Sequence, residues 1–149
     1  MNTSRLSRRQ RGFTLIEMLC AVSVAGFLSS VAYPAFQSVL HKARRGDALV
    51  AIMQVQVAQE RHRASNAGYG SLAEIGAAAQ SPSRYYTLAI NAASDSGYEV
   101  VATASGTQAS DSACHLLKLR VDGANVTQSS SNRTGVDNPA EENRKCWSL

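Results

Sequence analysis

Between Phe13 and Phe36 the chain reads FTLIEMLCAVSVAGFLSSVAYPAF, an apolar run with a single acid, Glu17, and a single proline, Pro34. At 1.5 Å of rise per residue, Phe13 through Tyr33 is long enough to cross a hydrocarbon core of roughly 30 Å. Ahead of it stands MNTSRLSRRQRG, short, polar and basic. A positive flank before an apolar run favours a cytoplasmic N-terminus, although Lys42, Arg44 and Arg45 at the other end weaken the bias. An ordinary secretory signal would have a shorter core, a small-residue cleavage site after it, and no acid inside it. A chain that opens this way has a membrane or polymer-forming segment followed by a polar head.

The formal net charge of +4 suggests a nucleic-acid partner only until the charges are placed. Arg5, Arg8, Arg9 and Arg11 all precede Phe13, and the remaining 11 Lys and Arg (15 less 4) balance the 11 Asp and Glu. The basicity belongs to the leader, so a nucleic-acid partner is not expected.

A carboxylate at membrane depth is costly, which makes Glu17 a functional-site candidate; a tolerated interfacial acid is the plainer reading. Its neighbours decide. Arg11-Gly12-Phe13-Thr14-Leu15-Ile16-Glu17 resembles the prepilin cleavage motif of the type IV pilin and type II secretion pseudopilin superfamily. The resemblance covers residues 8–45 and implies cleavage between Gly12 and Phe13 by a prepilin peptidase/N-methyltransferase, with Phe13 becoming the N-methylated first residue. It further implies that Glu17 serves filament assembly by facing the N-terminal amine of a neighbouring subunit. Breaking such a buried pair costs about 3–5 kcal/mol, enough to favour one stagger between subunits. Ala21, Ser23, Ala25, Gly26, Ser29 and Ser30 permit close helix approach, which also suits an ordinary membrane helix. Pro34 removes a helical hydrogen bond and crowds the preceding turn, so a kink is expected there, as pilins have at a similar place; a helix end at Tyr33 is the alternative.

Residues 35–66 are rich in helix formers, and Val39, Leu49, Ile52, Met53 and Val57 recur at near-helical spacing. One helix from Thr14 to Ala64, roughly 75 Å by its rise, is expected, with its second half packed on a head. Asn66–Gly70 breaks it, and Ser71…Glu74 has the spacing of a capping box opening a short helical turn. Strands are expected over Tyr85–Ile90, Tyr98–Ser105, His115–Val121 and Asn125–Gln128, with Asp122-Gly123 as a hairpin signal. An antiparallel meander laid over the helix gives an α+β head, and with the long helix this is the type IV pilin fold that the resemblance implies.

Of the three cysteines, Cys20 lies in the apolar run, while Cys114 and Cys146 lie in the head. No Cys or His spacing suits a structural metal. If the head is exported, a Cys114–Cys146 disulfide is the natural reading, contributing roughly 3–4 kcal/mol in the chain-entropy account. Pilins carry a similar disulfide-bounded C-terminal loop, and the ending Cys146-Trp147 resembles that of PilE-type minor pilins. The tail from Ser129 is polar and turn-rich, and Trp147 is expected to pack beside the bridge. His41, His62 and His115 have no partner at catalytic spacing, so neither an enzyme nor a cofactor is expected.

These readings divide the chain into a leader (1–12), a transmembrane and filament-core helix (13–34), an amphipathic continuation (35–66) and a periplasmic or extracellular head (67–149). The resemblance implies a type IV pilus subunit, made in the inner membrane and assembled with other pilin subunits by the pilus assembly platform. A type II secretion pseudopilin and a DNA-uptake or adhesion minor pilin are the alternatives.

Overall fold

The computed structural model describes residues 12–148, so the arginines of the leader lie outside it. The chain divides into two compact units, Met1–Gln37 and Ser38–Leu149. One helix, α1 (Leu15–Arg63), passes through both, with Pro34 inside it.

In the first unit every described residue from Gly12 to Phe36 is exposed. The helical serines there satisfy themselves: Ser23, Ser29 and Ser30 donate to the carbonyls of Leu19, Ala25 and Phe27 at 2.8, 2.8 and 2.7 Å. Apart from Glu17, this stretch of helix thus keeps its hydroxyls bonded to its own turns, as an apolar surrounding requires.

The second unit sets the last part of α1 against four antiparallel strands in the order β1-β2-β3-β4: Tyr86–Ala93, Gly97–Ala104, Leu116–Asp122 and Asn125–Ser131. Alternation decides the buried face. Tyr86 and Leu88, Tyr98, Val100 and Ala102, then Leu117, Leu119 and Val121 point inward, while Arg120 faces water. Against them α1 buries Ala48, Ala51, Ile52, Val55 and Gln59, a single helical stripe. This corrects the stripe read from the sequence, of which only Ile52 is buried: Val39, Met53 and Val57 are exposed. Large residues dominate a hydropathy reading, whereas a sheet approaches most closely over alanines.

Gln59, fully buried, donates to Gly70 O at 2.6 Å and accepts from Gly70 N at 2.9 Å, tying the segment after α1 back onto the helix. Ser71 and Glu74 form the expected reciprocal bonds: Ser71 N donates to Glu74 at 2.7 Å and Glu74 N to Ser71 Oγ at 3.4 Å. They close a turn, however, and not a helix. Those bonds hold the Glu74 carboxyl below its usual range.

The β3–β4 loop is Gly123-Ala124, one residue beyond the expected pair, because Asp122 still pairs with Asn125. Gly123 has φ 58, the left-handed first position of a two-residue hairpin. The tail is also more ordered than its polarity suggests. β4 runs on to Ser131, and Ala140–Trp147 form a helix, α2. Glu141 and Glu142 in its first turn and Arg144 and Lys145 in its last complement the helix dipole, a signal the composition-based reading passed over. Cys146 in α2 is bonded to Cys114, just before β3. Asn143 Nδ2 donates to Gln128 O (2.9 Å), Trp147 Nε1 to Ser129 O (3.1 Å) and Asn138 N to Ser130 O (2.8 Å). The C-terminal segment held by the disulfide thus occupies backbone acceptors of β4, one of the two edge strands.

Candidate functional site

Gly12, Phe13, Thr14 and Glu17 line one shallow depression where α1 begins. Thr14 O accepts from Met18 N at 3.2 Å, which starts the helical ladder. The Thr14 hydroxyl accepts from Glu17 N at 3.3 Å, and the Glu17 carboxylate accepts from Thr14 N at 3.4 Å. This is a capping box, and its Thr-x-x-Glu spacing was legible but unread in the sequence. It turns the Glu17 carboxylate back to Thr14 N, one residue beyond the Phe13 nitrogen that a cut after Gly12 would free. The structure therefore brings Gly12, Phe13 and Glu17 together. Pro34 lies farther along the same helix, and Cys114 and Cys146 lie in the second unit.

Around this site none of the described residues covers the apolar side chains. Phe13 is 77% exposed, Leu15 82% and Ile16 65%, and α1 is long and apolar enough to cross a membrane by length and composition. The head adds a second uncovered surface. Val39, Val50, Met53 and Val57 follow each other at helical spacing on the side of α1 turned away from the sheet. Exposed apolar side chains thus line the side of α1 opposite the packed one, the kind of patch found at interaction sites.

Two profiles of known families match the chain. The prokaryotic N-terminal methylation motif matches residues 7–33. The family described as "Type IV minor pilin ComP, DNA uptake sequence receptor" matches residues 34–118, more than half of the chain. The chain belongs to the type IV minor pilin family. Among curated relatives, the pilin is 33% identical over 86 residues to the "Type IV major pilin protein PilA" of Myxococcus xanthus, covering 57% of this chain and 39% of that one. It is 38% identical over 52 residues to the "Prepilin peptidase-dependent protein D" of Escherichia coli, covering 35% of this chain and 36% of the other. The pilin thus aligns with well under half the length of either relative.

The pilin head also holds a polar network that sequence reasoning missed. Arg45 donates to both oxygens of Asp111, at 2.8 and 3.1 Å, and to Lys145 O at 3.1 Å, so it reaches α2 as well. Fully buried Gln108 donates to Tyr86 Oη, to Asp111 and to His41 O, each at 3.1–3.2 Å. The His41 ring stands 3.1 Å from its amide oxygen. Burial pushes the Tyr86 hydroxyl up to about 12, against the opposing hydrogen bond from Gln108. His41 and Arg45 of α1 stand more than sixty residues from their partners Gln108 and Asp111, so no local spacing could announce those bonds. Among the described residues no group of three or more His, Cys, Asp or Glu side chains could hold a metal. The network reads as a clamp between α1, the 3-10 turn Gly106–Ser110 and α2.

Proposed function

We propose that this pilin is cut after Gly12, N-methylated on Phe13, and built into a type IV pilus through its N-terminal helix. The observation that carries the reading is the uncovered apolar run of α1 headed by Glu17, its one acid, which turns back to Thr14 N. In lipid such a helix is stable alone; in a filament it packs against copies of itself. Glu17 then exchanges its weak cap on Thr14 N for the amine of a neighbouring subunit, and Pro34, lacking an N–H, marks where the helix loosens on packing. The outward stripe Val39, Val50, Met53 and Val57 extends the contact surface into the head.

Localisation follows from the same features. The leader arginines favour a cytoplasmic N-terminus, and the Cys114–Cys146 bridge supports a head in an oxidising compartment beyond the inner membrane. The partners are other pilin subunits, the prepilin peptidase and the pilus assembly platform. Peptidase dependence in the name of the Escherichia coli relative supports the processing step.

Intact-mass spectrometry of the non-reduced protein tests this, from cells with and without the peptidase. The expected product begins at N-methyl-Phe13, with the full chain persisting where the peptidase is missing. A chain retaining residues 1–12 in both strains would overturn the reading.

A second reading is favoured by the match of residues 34–118 to a family described as a DNA uptake sequence receptor: the same subunit binds DNA. Titrating the purified pilin with duplexes of different sequence at several salt concentrations tests it. Sequence-dependent affinity would support the reading, and the absence of binding at low salt would remove it.

A further inference from the structure

The head is close to neutral but its charges are sorted. At one end, around the first turns of the head helix and the 3-10 turn Gly106–Ser110, stand Lys42, Arg44, Arg84 and Arg133. Arg44 donates to Thr107 Oγ1 at 3.1 Å and lies over the Tyr85 ring. Arg133 donates to Ala109 O, and Arg84 O accepts from Ser105 Oγ at 3.1 Å, so both border the same turn. Lys42 is exposed, one residue from His41, which contacts Gln108 and Ser110. None of the four has an ion-pair partner among the described residues.

The acids of that end are already engaged. Asp111 is held by Arg45, Glu141 and Glu142 by Lys145, and Asp47 by the backbone N–H groups of Ser83 and Tyr85. The opposite end, at the turns joining the strands, has the reverse balance. There Arg61, Arg63 and Arg120 stand against Glu60, Glu74, Asp95, Glu99 and Asp122, around the end of α1 and the β1–β2 and β3–β4 turns.

We propose that Lys42, Arg44, Arg84 and Arg133 form a collar that rests on the anionic phospholipid headgroups of the leaflet from which α1 emerges, holding the unassembled head at the membrane. The inference builds on the membrane-anchored reading above. Lys42 follows Pro34 by eight residues, about 12 Å of helix rise, so this end of the head is the one tethered nearest the lipid surface. A basic group next to an anionic lipid surface raises the population in contact with it about five-fold. The collar also accounts for Lys42 and Arg44 lying on the side where the positive-inside tendency disfavours them, while Arg45 there is held by Asp111. A nucleic acid would have to approach the same groups from solution, on the side a membrane occupies.

The test uses the full chain, oxidised, in lipid nanodiscs of purely zwitterionic lipid and of the same lipid with an anionic fraction. Retention in both discs after alkaline wash reports the membrane span independently; failure there faults the anchoring and not the collar. Amide exchange is then compared at residues 105–111 and 132–134. Several-fold slower exchange on anionic discs, reversed by high salt and absent from a K42Q/R84Q/R133Q variant that melts like the wild type, is the expected result. Inorganic phosphate added to zwitterionic discs should not reproduce it. Equal exchange on the two lipids overturns the proposal. So does protection that appears only when duplex DNA is added, which would assign the collar to nucleic acid.

Discussion

Arg45 closes a two-pronged ion pair on Asp111, with Nε 2.8 Å from Oδ2 and Nη2 3.1 Å from Oδ1. Both side chains are largely withdrawn from water, at 13% and 6% exposure. Removing either partner leaves the other charge buried and unpaired. Arg45→Ala and Asp111→Ala are each expected to lose about 3 kcal/mol, whereas the double variant should lose little more than either alone. Denaturant unfolding of the full chain in micelles gives the coupling, and strictly additive losses would refute the clamp.

The disulfide should govern α2 and the edge strand β4 more than the rest of the sheet. Cys114→Ser with Cys146→Ser removes a bridge spanning 32 residues, an expected loss of roughly 3–4 kcal/mol. Hydrogen exchange should rise first over residues 125–147, because Asn143 and Trp147 reach β4 from the segment the bridge holds. Uniform loosening of all four strands would show that the bridge has no local role.

Gly97 faces Asp122 across β2 and β3, and a Cβ placed there would lie 2.2 Å from Val121 O. Backbone cannot yield as a side chain can, so Gly97→Ala is expected to cost about 3 kcal/mol. Gly106→Ala meets open space and should cost about 1 kcal/mol, from its left-handed backbone alone. Melting temperatures of the two variants should therefore separate clearly.

Burial raises both Tyr86 and Tyr98 to about 12 from an ordinary value of 10.0. Their hydroxyls stay protonated in the fold while the unfolded chain ionises, so their contribution is complete below pH 10 and is lost as pH rises through about 12. Stability should fall across that window. Tyr98→Phe should flatten the fall without altering the profile near neutrality. An unchanged alkaline slope in that variant would count against the assignment.

The outward stripe of the head helix should matter to assembly and not to folding. Met53→Asp and Val57→Glu alter exposed positions, so unfolding stability should change by no more than about 0.5 kcal/mol. The yield of sheared filaments should fall sharply, as it should for Glu17→Ala, with processing intact. Wild-type filament yield from all three would remove the proposed contact surface.

The N-terminal features were legible because they are local. An apolar run, an acid four residues past Phe13 and a proline inside a helix declare themselves within one or two turns. The four strands were equally plain from alternation and turn residues, as Leu117, Leu119 and Val121 show. Errors arose where the deciding partner was distant. Met53 and Val57 looked like core and proved to be surface, since which side of an amphipathic helix is covered depends on where the sheet lands. The helix of the polar tail had a local signal in its charges, but its place against β4 depends on distant Cys114 and Gln128.

What this sequence determined alone is therefore its periodic and contiguous content: the long helix, its lipid-compatible half, the strand pattern and the Gly12–Glu17 motif. Only the tertiary structure decided the Gln108 network, the Arg45–Asp111 pair and the sorting of a near-neutral head into basic and acidic ends. Backbone preferences act over a few residues, whereas ion pairs and buried amides join groups whose proximity exists only once the chain has closed.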